Sequence, residues 1–544
     1  MEIMLKKMTS NESTTISAEN NQERTGVVWF LASIPLSGQL FLLVIIALIP
    51  RIIVFLQPQI ITIDGTLYVK MAKLFSEGEY GGIPGSYFSL YPFMIFLLQK
   101  LIGDWELSGQ LISIALGTLT VIPIFLLGRS LYHERIGWLA AIFYITLPNL
   151  LRFDTQVIRD PTLWFFILFT IWLVWEGNKK NQPILFALAS VSAGLGALTR
   201  VEGFIVWGIL GLYLAFRKVT VISTKRKLLN LILFILIFPL LLSIILFSLK
   251  TNSTDMAFGE MTSFSFKFIA VHTQTILKPQ DPIGAIGEKS YHSLPTISQD
   301  SLELVSRHRF VVAIAEVVYK FIKAANLLVI LILLGVWKRK KERFQSSDWY
   351  LSYIFVALFI MSIFYARQLY YFSTRHGLTL LLPTLFFAGH GLEFLAESFS
   401  RGLNRLTSGW SFVRKYLLHL LMIFFILIFL AQGITFKRTD KFIQREIGLW
   451  LKENGYQGSV VMGPKEFLRL AFYADGRFLE MPNSWEQAVE STRKNRVGIL
   501  IIDSCTIEQD CPSCLTNWST GGFLLVWEVK EVGRNCFLQI YSVP

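Results

Sequence analysis

The sequence predicts an α-helical protein that crosses a membrane many times and ends in a small α/β domain. Of its 544 residues, 53% are hydrophobic and only 16% are charged, whereas soluble domains carry about 25% charged residues. Several apolar runs reach the roughly 20 residues that a helix needs to cross a hydrocarbon core ~30 Å thick. From residue 435 onward these runs give way to short strand-like and helix-like segments.

The apolar runs predict eleven spans. They are expected near residues 36–56, 107–129, 136–151, 160–176, 183–199, 203–216, 228–249, 321–337, 349–366, 376–396 and 416–434. The run at 88–102 is short for a span and carries a proline near its start and a lysine near its end. It is therefore predicted to be a helix that lies at the outer membrane surface.

Short basic loops predict the orientation in the membrane. The segments GNKKNQ (177–182), RKVTVISTKRK (217–227) and KRKKER (338–343) fall on one side of the eleven-span topology, as do the basic residues between 401 and 415. The positive-inside rule makes that side cytoplasmic. Residues 1–35 are then a flexible cytoplasmic tail, and residues 57–106, 250–320 and 435–544 lie outside. The net charge of +13 is attributed to these anchoring loops, so no nucleic-acid partner is expected.

The C-terminal segment 435–544 is predicted to be an extracytoplasmic α/β domain with its own core. No glycine-rich phosphate loop follows any of its strands, which argues against nucleotide binding. All four cysteines lie here, at Cys505, Cys511, Cys514 and Cys536. They are disulfide candidates with three possible connectivities. The CPSC spacing leaves a four-cysteine zinc site as the alternative.

Charged side chains recur in short loops at the outer ends of the spans. They come from four segments far apart in sequence: Asp64; Arg152, Asp154, Arg159 and Asp160 in RFDTQVIRDP; Arg200 and Glu202 in TRVEG; and Arg367, Arg375 and His376 in RQLYYFSTRH. Charges at such positions are costly and often functional. A pocket lined by them would bind a phosphate through arginine and activate a hydroxyl through a carboxylate.

Each of these residues also has a structural interpretation. Arg152, Arg200 and Arg375 are suited to anchor the protein to lipid headgroups. Asp160 precedes a proline and therefore favours a helix N-terminus. Asp64 could cap the helix that follows it, and a cap is compatible with a catalytic role.

Several segments resemble the GT-C membrane glycosyltransferases. An aspartate after the first span, followed by YVKMAKLFSEGEY and SLYPFMIFLLQKLIG, is similar to the first external loop of that superfamily, in particular of bacterial relatives of protein O-mannosyltransferases and of the lipid A aminoarabinose transferase. The resemblance continues through LLRFDTQVIRDPTLWFF, GLGALTRVEG and STRHGLTLLLPTLFFAGHGL, and it covers roughly residues 38–400.

The chain departs from the family pattern in two places. Many members have an Asp-Glu pair in the first loop, whereas here Gly65 follows Asp64. The second acid's role is either absent or taken by Glu77 or Glu79. The second site also lacks the Asp-x-Asp of metal-using oligosaccharyltransferases, which makes a divalent metal possible but not favoured, with Asp64 and Asp160 as its ligands if one is used.

The resemblance implies an enzyme that moves a sugar from a polyprenyl-phosphate donor to an extracytoplasmic hydroxyl with inversion. Asp64 and Asp160 would be catalytic, and Arg159, Arg200 and Arg375 would bind the donor phosphate. Four further residues are expected to orient substrate: Tyr68, Asp154, Glu202 and His376. The implied partners are this donor, membrane lipid, and a protein, lipid or polysaccharide acceptor, in a plasma (inner) membrane.

Two other functions are alternatives to the enzyme. A transporter or flippase for lipid-linked glycans would be expected to carry charges near the membrane midplane and related halves, whereas here the charges lie at the rim. A membrane-anchored binding protein would depend on residues 435–544 alone. The irregular spacing of His272, His292 and His308 predicts no metal site in the loop at 250–320, which is expected to cover the active site or the acceptor.

Overall fold

The computed structural model describes residues 34–78, 89–217, 223–252, 307–369, 372–406, 411–435, 442–482, 484–504, 523–530 and 537–543. Several predictions lie outside these ranges. They are the flexible tail up to residue 33, the four cysteines with their disulfides or zinc site, Glu79, His272 and His292, and most of the 250–320 loop.

The described part of the chain is mostly helical and ends in a sheet, as predicted. The helices of the first half are α1 (Leu36–Phe55), α2 (Ile63–Ser76), α3 (Leu90–Ile102), α4 (Trp105–Leu119), α5 (Val121–Leu131), α6 (Glu134–Thr146), α7 (Pro148–Phe153), α8 (Asp160–Lys180), α9 (Pro183–Thr199), α10 (Val201–Phe216) and α11 (Thr224–Asn252). The second half contains α12 (Arg309–Ala325), α13 (Leu328–Lys341), α14 (Ser346–Leu369), α15 (Thr374–Leu381), α16 (Leu385–Leu406), α17 (Ser411–Ile434) and α18 (Phe442–Leu451).

Six helices among the described residues are long and apolar enough to cross a membrane, so the protein is a multi-pass membrane protein. They lie within Leu36–Phe55, Trp105–Leu131, Thr224–Ile244, Ser346–Gln368, Thr374–Gly402 and Tyr416–Ile434. Several other predicted spans are shorter helices, with 13 residues in α6, 17 in α9 and 16 in α10. Length and composition therefore support fewer independent crossings than the eleven predicted.

The predicted span at 321–337 is wrong as a single helix. The chain breaks between α12 and α13, and the two helices meet at an angle of 102°. Asn326 ends α12 with φ 55° and ψ −139°, a conformation outside the α-helical region that stops the helix. Together the two helices count as at most one bent span.

Glycines allow several helices of the bundle to pack at close range. A Cβ atom at Gly335 of α13 would overlap the carbonyl of Phe387, and one at Gly391 of α16 would overlap the carbonyl of Leu331. Small residues of this kind let membrane helices approach through their backbones. The α13–α16 pair is thereby fixed as a rigid unit within the largest buried apolar cluster.

The first loop forms a small helical layer of its own. The helix predicted at 88–102 is present as α3, and it packs against α2 and α4. Tyr68, Phe75, Tyr91 and Ile95 are buried in this layer. The apolar cluster also includes Tyr473 from the C-terminal part of the chain.

The C-terminal segment contains the predicted α/β domain. Its described strands are β1 (Val460–Gly463), β2 (Arg477–Glu480), β3 (Val497–Asp503), β4 (Leu524–Lys530) and β5 (Phe537–Ser542), with helices α19 (Leu468–Tyr473) and α20 (Trp485–Asn495). The sheet order is β2-β1-β3-β5-β4. β1 pairs in parallel with β2 and β3, whereas β5 pairs antiparallel with β3 and β4. Apolar clusters cover both faces of the sheet.

Candidate active site

Asp64 lies in the first turn of α2, directly after the segment that leaves α1. Thr62 is the N-cap of this helix, and its Oγ1 accepts a hydrogen bond from the backbone N–H of Gly65 at 2.8 Å. Thr62 therefore supplies the cap, and the Asp64 side chain is left to make other contacts. It is 41% exposed and lies 2.6 Å from Nη1 of Arg375.

Asp160 is the first residue of α8 and is almost completely buried, with 2% of its side chain exposed. Its Oδ1 accepts a hydrogen bond from Arg200 Nη1 at 2.8 Å. Its Oδ2 lies 3.7 Å from Arg375 Nη1. One buried carboxylate thus faces two guanidinium groups that come from distant parts of the chain.

Arg200 connects α9 to α10 and is held by more than one carboxylate. Its Nε and Nη2 donate to the two carboxylate oxygens of Glu202 at 3.0 and 2.7 Å. Burial alone would lower the pKa of Arg200, but Glu202 and Asp160 outweigh that effect and raise the pKa well above its usual range. Arg200 therefore stays charged despite being buried.

His376, in the first turn of α15, completes the contacts of Arg200. Its Nε2 lies 2.7 Å from Arg200 Nη2. Because arginine has no acceptor, this nitrogen accepts the hydrogen bond and the imidazole is neutral. The other ring nitrogen, Nδ1, lies 2.9 Å from Oγ of Ser373, which caps α15. The adjacent Arg375 is thereby presented toward Asp64 by a capped helix start.

Arg159 and Tyr68 border this cluster. The Arg159 guanidinium lies over the Tyr68 ring, 5.5 Å from its centroid. Burial raises the pKa of Tyr68 to about 12; Arg159 opposes that shift, while Asp64 and Asp160 add to it. The phenol therefore remains protonated at any physiological pH.

The structure brings together eight of the nine predicted site residues. A continuous path of contacts runs from Asp64 through Arg375, Asp160 and Arg200 to Glu202 and His376, with Arg159 and Tyr68 at its edge. The ninth, Asp154, is paired elsewhere.

Asp154 forms a buried ion pair with Arg51 of α1, and both side chains are 0% exposed. Arg51 Nε donates to Asp154 Oδ2 at 3.0 Å, and Tyr144 OH lies 3.5 Å from the same oxygen. The prediction that Asp154 orients substrate is therefore not supported by its position. Sequence reasoning missed Arg51, although an arginine within an apolar run is itself a signal.

Gly65 stands where many GT-C enzymes have a second acid, and the structure leaves no room for a side chain there. A Cβ atom at Gly65 would lie 2.9 Å from both the carbonyl oxygen of Val157 and Oγ1 of Thr62. Glu77 does not replace the acid, since it follows the last residue of a 14-residue helix, roughly 20 Å along the axis from Asp64 at 1.5 Å per residue.

The donor set does not suit a divalent metal shared by Asp64 and Asp160. A guanidinium nitrogen of Arg375 already lies between these two carboxylates, so a cation would have to displace it. Among the described residues, no group of three or more His, Cys, Asp or Glu side chains is arranged to bind a metal ion.

A small cavity of about 40 Å³ lies beside the cluster, between the end of α1 and the start of α18. Its polar lining includes Gln57, Gln59, Arg152, Thr155 and Gln156. A space of this size holds one or two water molecules. Asp64 does not line this cavity; its carboxylate pairs with Arg375 and is 41% exposed.

One known protein family matches part of the chain. The family model described as dolichyl-phosphate-mannose-protein mannosyltransferase matches residues 89–243, a range that includes Asp160, Arg200 and Glu202. Among curated protein sequences, no match was found.

Three solved structures share the fold. ArnT from Cupriavidus metallidurans bound to undecaprenyl phosphate is 11% identical with a TM-score of 0.55, covering 93% of this chain and 98% of that one. AglB from Archaeoglobus fulgidus, in complex with an inhibitory peptide and a dolichol-phosphate, is 12% identical with a TM-score of 0.51, covering 92% and 74%. The arabinofuranosyltransferase AftD from Mycobacteria is 12% identical with a TM-score of 0.50, covering 94% and 42%. Residues 89–243 therefore resemble a family of mannosyltransferases, and the chain as a whole shares its fold with ArnT, AglB and AftD.

Proposed function

We propose that this protein transfers a sugar from a polyprenyl-phosphate-linked donor to an acceptor hydroxyl, with inversion at the anomeric carbon. The observation that carries the proposal is the path of contacts from Asp64 through Arg375 and Asp160 to Arg200. It joins an exposed carboxylate, suited to remove a proton, to two guanidinium groups, suited to bind a phosphate.

Asp64 is the general base in this proposal. It takes the proton from the acceptor hydroxyl while the hydroxyl oxygen forms a bond to the anomeric carbon. The bond from that carbon to the phosphate oxygen breaks on the opposite side, and polyprenyl phosphate leaves. Asp64 is suited to this step because its side chain is 41% exposed, whereas Asp160 is buried and cannot reach an external acceptor without rearrangement.

Arg375 and Arg200 bind the departing phosphate, which gains negative charge as the bond breaks. Arg375 already contacts Asp64, so a donor phosphate that binds Arg375 also frees the base. Asp160 contacts both guanidinium groups and stabilises their positions. Glu202 and His376 contact the guanidinium of Arg200 and fix it in place. Arg159 and Tyr68 border the same space and are assigned to orient the donor.

The comparisons support the class of donor. The family description names a dolichyl-phosphate sugar, and two of the similar structures contain undecaprenyl phosphate or a dolichol-phosphate. We extend this lipid-linked phosphate chemistry to the present chain. The acceptor is a protein, lipid or polysaccharide outside the cytoplasm.

The topology fits the same proposal. α8 begins at Asp160 in the cluster and ends with Lys179 and Lys180 at its other end, which the positive-inside rule assigns to the cytoplasm. We propose that residues 36–434 form the catalytic membrane domain of an inner-membrane enzyme. The N-terminus is then cytoplasmic, and residues 435–544 form an extracytoplasmic domain.

A transfer assay with purified protein tests the function. The protein is reconstituted and offered a panel of polyprenyl-phosphate sugars with extracytoplasmic acceptors, and the release of polyprenyl phosphate is measured. We expect release with at least one donor. The Asp64→Asn variant should lose ~10²–10⁴-fold in turnover, the typical contribution of general base catalysis.

Asp104→Asn is the matched control. Asp104 is another carboxylate of the first loop, but it caps α4 through the backbone N–H of Leu107, a contact that asparagine also makes. Its transfer rate should equal that of the wild type. Near-normal transfer by Asp64→Asn, with both variants inserted and folded, would refute the assignment of the base.

A further inference from the structure

We propose that the C-terminal domain positions the catalytic base, with Arg469 and Tyr473 as the positioning residues. They hold the peptide groups of Ile61, three residues before Asp64. The proposal rests on the function assigned to Asp64 above, and it gives the C-terminal domain a part in the reaction.

Both polar backbone groups of Ile61 are bound by α19 of the C-terminal domain. The backbone N–H of Ile61 donates to the Tyr473 hydroxyl at 2.9 Å, and Arg469 Nε donates to the Ile61 carbonyl at 2.8 Å. All three residues are buried, with exposed fractions of 2%, 4% and 7% for Ile61, Arg469 and Tyr473. Water therefore cannot take over these bonds when they are broken.

The position of Ile61 passes directly to Asp64. Thr62 follows Ile61 and caps α2 through Gly65 N–H, while its hydroxyl also donates to the carbonyl of Val157 at 3.2 Å. Asp64 lies one residue inside that capped turn. Only Thr62, which is itself hydrogen-bonded, lies between Ile61 and the first residue of α2. A shift of Ile61 therefore moves Asp64.

The Tyr473 hydroxyl is the centre of this clamp. Besides accepting from Ile61, it donates to Glu106 Oε1 at 3.1 Å at the start of α4. Burial raises the pKa of Tyr473, and Glu106 adds to the shift, so the donor proton is retained. Arg445, whose guanidinium lies over the Tyr473 ring, also donates to the carbonyl of Gln59 at 3.1 Å.

The interface between α2 and the C-terminal domain also contains an exposed ion pair. Lys73 near the end of α2 pairs with Asp475 at 2.9 Å, but the two side chains are 39% and 41% exposed. Exposed ion pairs contribute little to stability. This pair therefore serves as a matched control at the same interface, remote from the start of α2.

The test compares Tyr473→Phe and Arg469→Lys with Asp475→Asn. Tyr473→Phe keeps the ring and removes the hydroxyl; Arg469→Lys keeps the charge and loses Nε. Misplacing a catalytic group by about 1 Å can cost ~10²-fold, so we expect kcat to fall at least ~10-fold in both variants. KM for the donor should stay unchanged, because Arg200 and Arg375 lie on other elements. Asp475→Asn should retain both constants.

Hydrogen exchange separates this proposal from the proposed function. The backbone amides of residues 61–66 should exchange faster in Tyr473→Phe than in the wild type, whereas those of α3 should not change. If the wild type transfers no sugar, the proposed function fails and exchange still tests the clamp. Wild-type kcat in both clamp variants would overturn the proposal, as would unchanged exchange at residues 61–66 in Tyr473→Phe or an equal loss of kcat in Asp475→Asn.

Discussion

Removing one partner of the buried Arg51–Asp154 pair should destabilise the protein without touching the active site. Both side chains are 0% exposed. Asp154→Asn leaves the Arg51 charge buried with its bond to the Ala47 carbonyl at 2.7 Å but without its counter-charge. Breaking such pairs costs about 3–5 kcal/mol. We expect the free energy of unfolding to fall by about 3 kcal/mol, near the lower limit of that range, because one hydrogen bond to Arg51 remains.

The size of the site restricts which substitutions give a clean result. A Cβ atom at Gly117 would overlap the Asp154 carboxyl, so a larger residue would clash at 154, whereas the isosteric asparagine fits. The double variant Arg51→Gln/Asp154→Asn removes both charges and keeps polar groups in both places. Because neither buried charge is then left alone, it should recover most of the stability lost in Asp154→Asn.

The assay measures unfolding of the purified protein in mixed micelles. It compares the wild type, the single variants Arg51→Gln and Asp154→Asn, and the double variant. Sugar transfer is measured on the fraction that remains folded. Wild-type stability in Asp154→Asn would refute the buried-pair reasoning. A large loss of turnover in a folded, stable double variant would support the prediction that Asp154 orients substrate.

Two further substitutions test the cluster itself. Asp160→Asn should lower turnover ~10- to 100-fold and raise the donor KM, because Arg200 loses one charge-assisted hydrogen bond, worth about 1.5–3 kcal/mol, and Arg375 loses a carboxylate 3.7 Å away. Initial rates against donor concentration check this, and unchanged constants would contradict it. Gly65→Glu introduces the acidic pair that many GT-C enzymes have, and it should reduce both the transfer rate and the unfolding temperature. The new side chain would meet the Val157 carbonyl at 2.9 Å, and overpacking costs about 1–3 kcal/mol. A fully active Gly65→Glu protein would show that the space is available.

The site residues lie on one face because of a membrane topology that can be predicted from the sequence. Successive spans cross the membrane in opposite directions. Charged loops that follow odd-numbered spans therefore lie on the same side of the membrane. That reasoning was sufficient to bring Asp64, Asp160, Arg200 and Arg375 to one surface. Their pairwise contacts were not predictable, because which arginine faces which carboxylate depends on helix rotation and tilt. Asp154 illustrates the limit: it is six residues from Asp160, yet it turns inward to Arg51.

The helix break at Asn326 was missed for a different reason. Mean hydropathy measures composition along a window and carries no information on chain direction, so an apolar run that bends by 102° resembles a straight span. Asn326 was the available signal, since asparagine side chains bond nearby backbone groups and disfavour helix interiors; here its Oδ1 accepts from the N–H of Leu327 at 2.7 Å. The α/β tail was easier to predict because its alternating short segments differ in period from the long apolar runs.

The contact between Ile61 and Tyr473 joins residues 412 positions apart, and this has a consequence for biosynthesis. Translation proceeds at about 5–20 residues per second, so the ribosome needs roughly 20–80 s after completing the first loop to deliver the helix that binds it. During that interval the start of α2 has neither of its partners from α19. A chain interrupted before residue 469 would lack both side chains that hold Ile61, so docking of the C-terminal domain is a late step in the maturation of this protein.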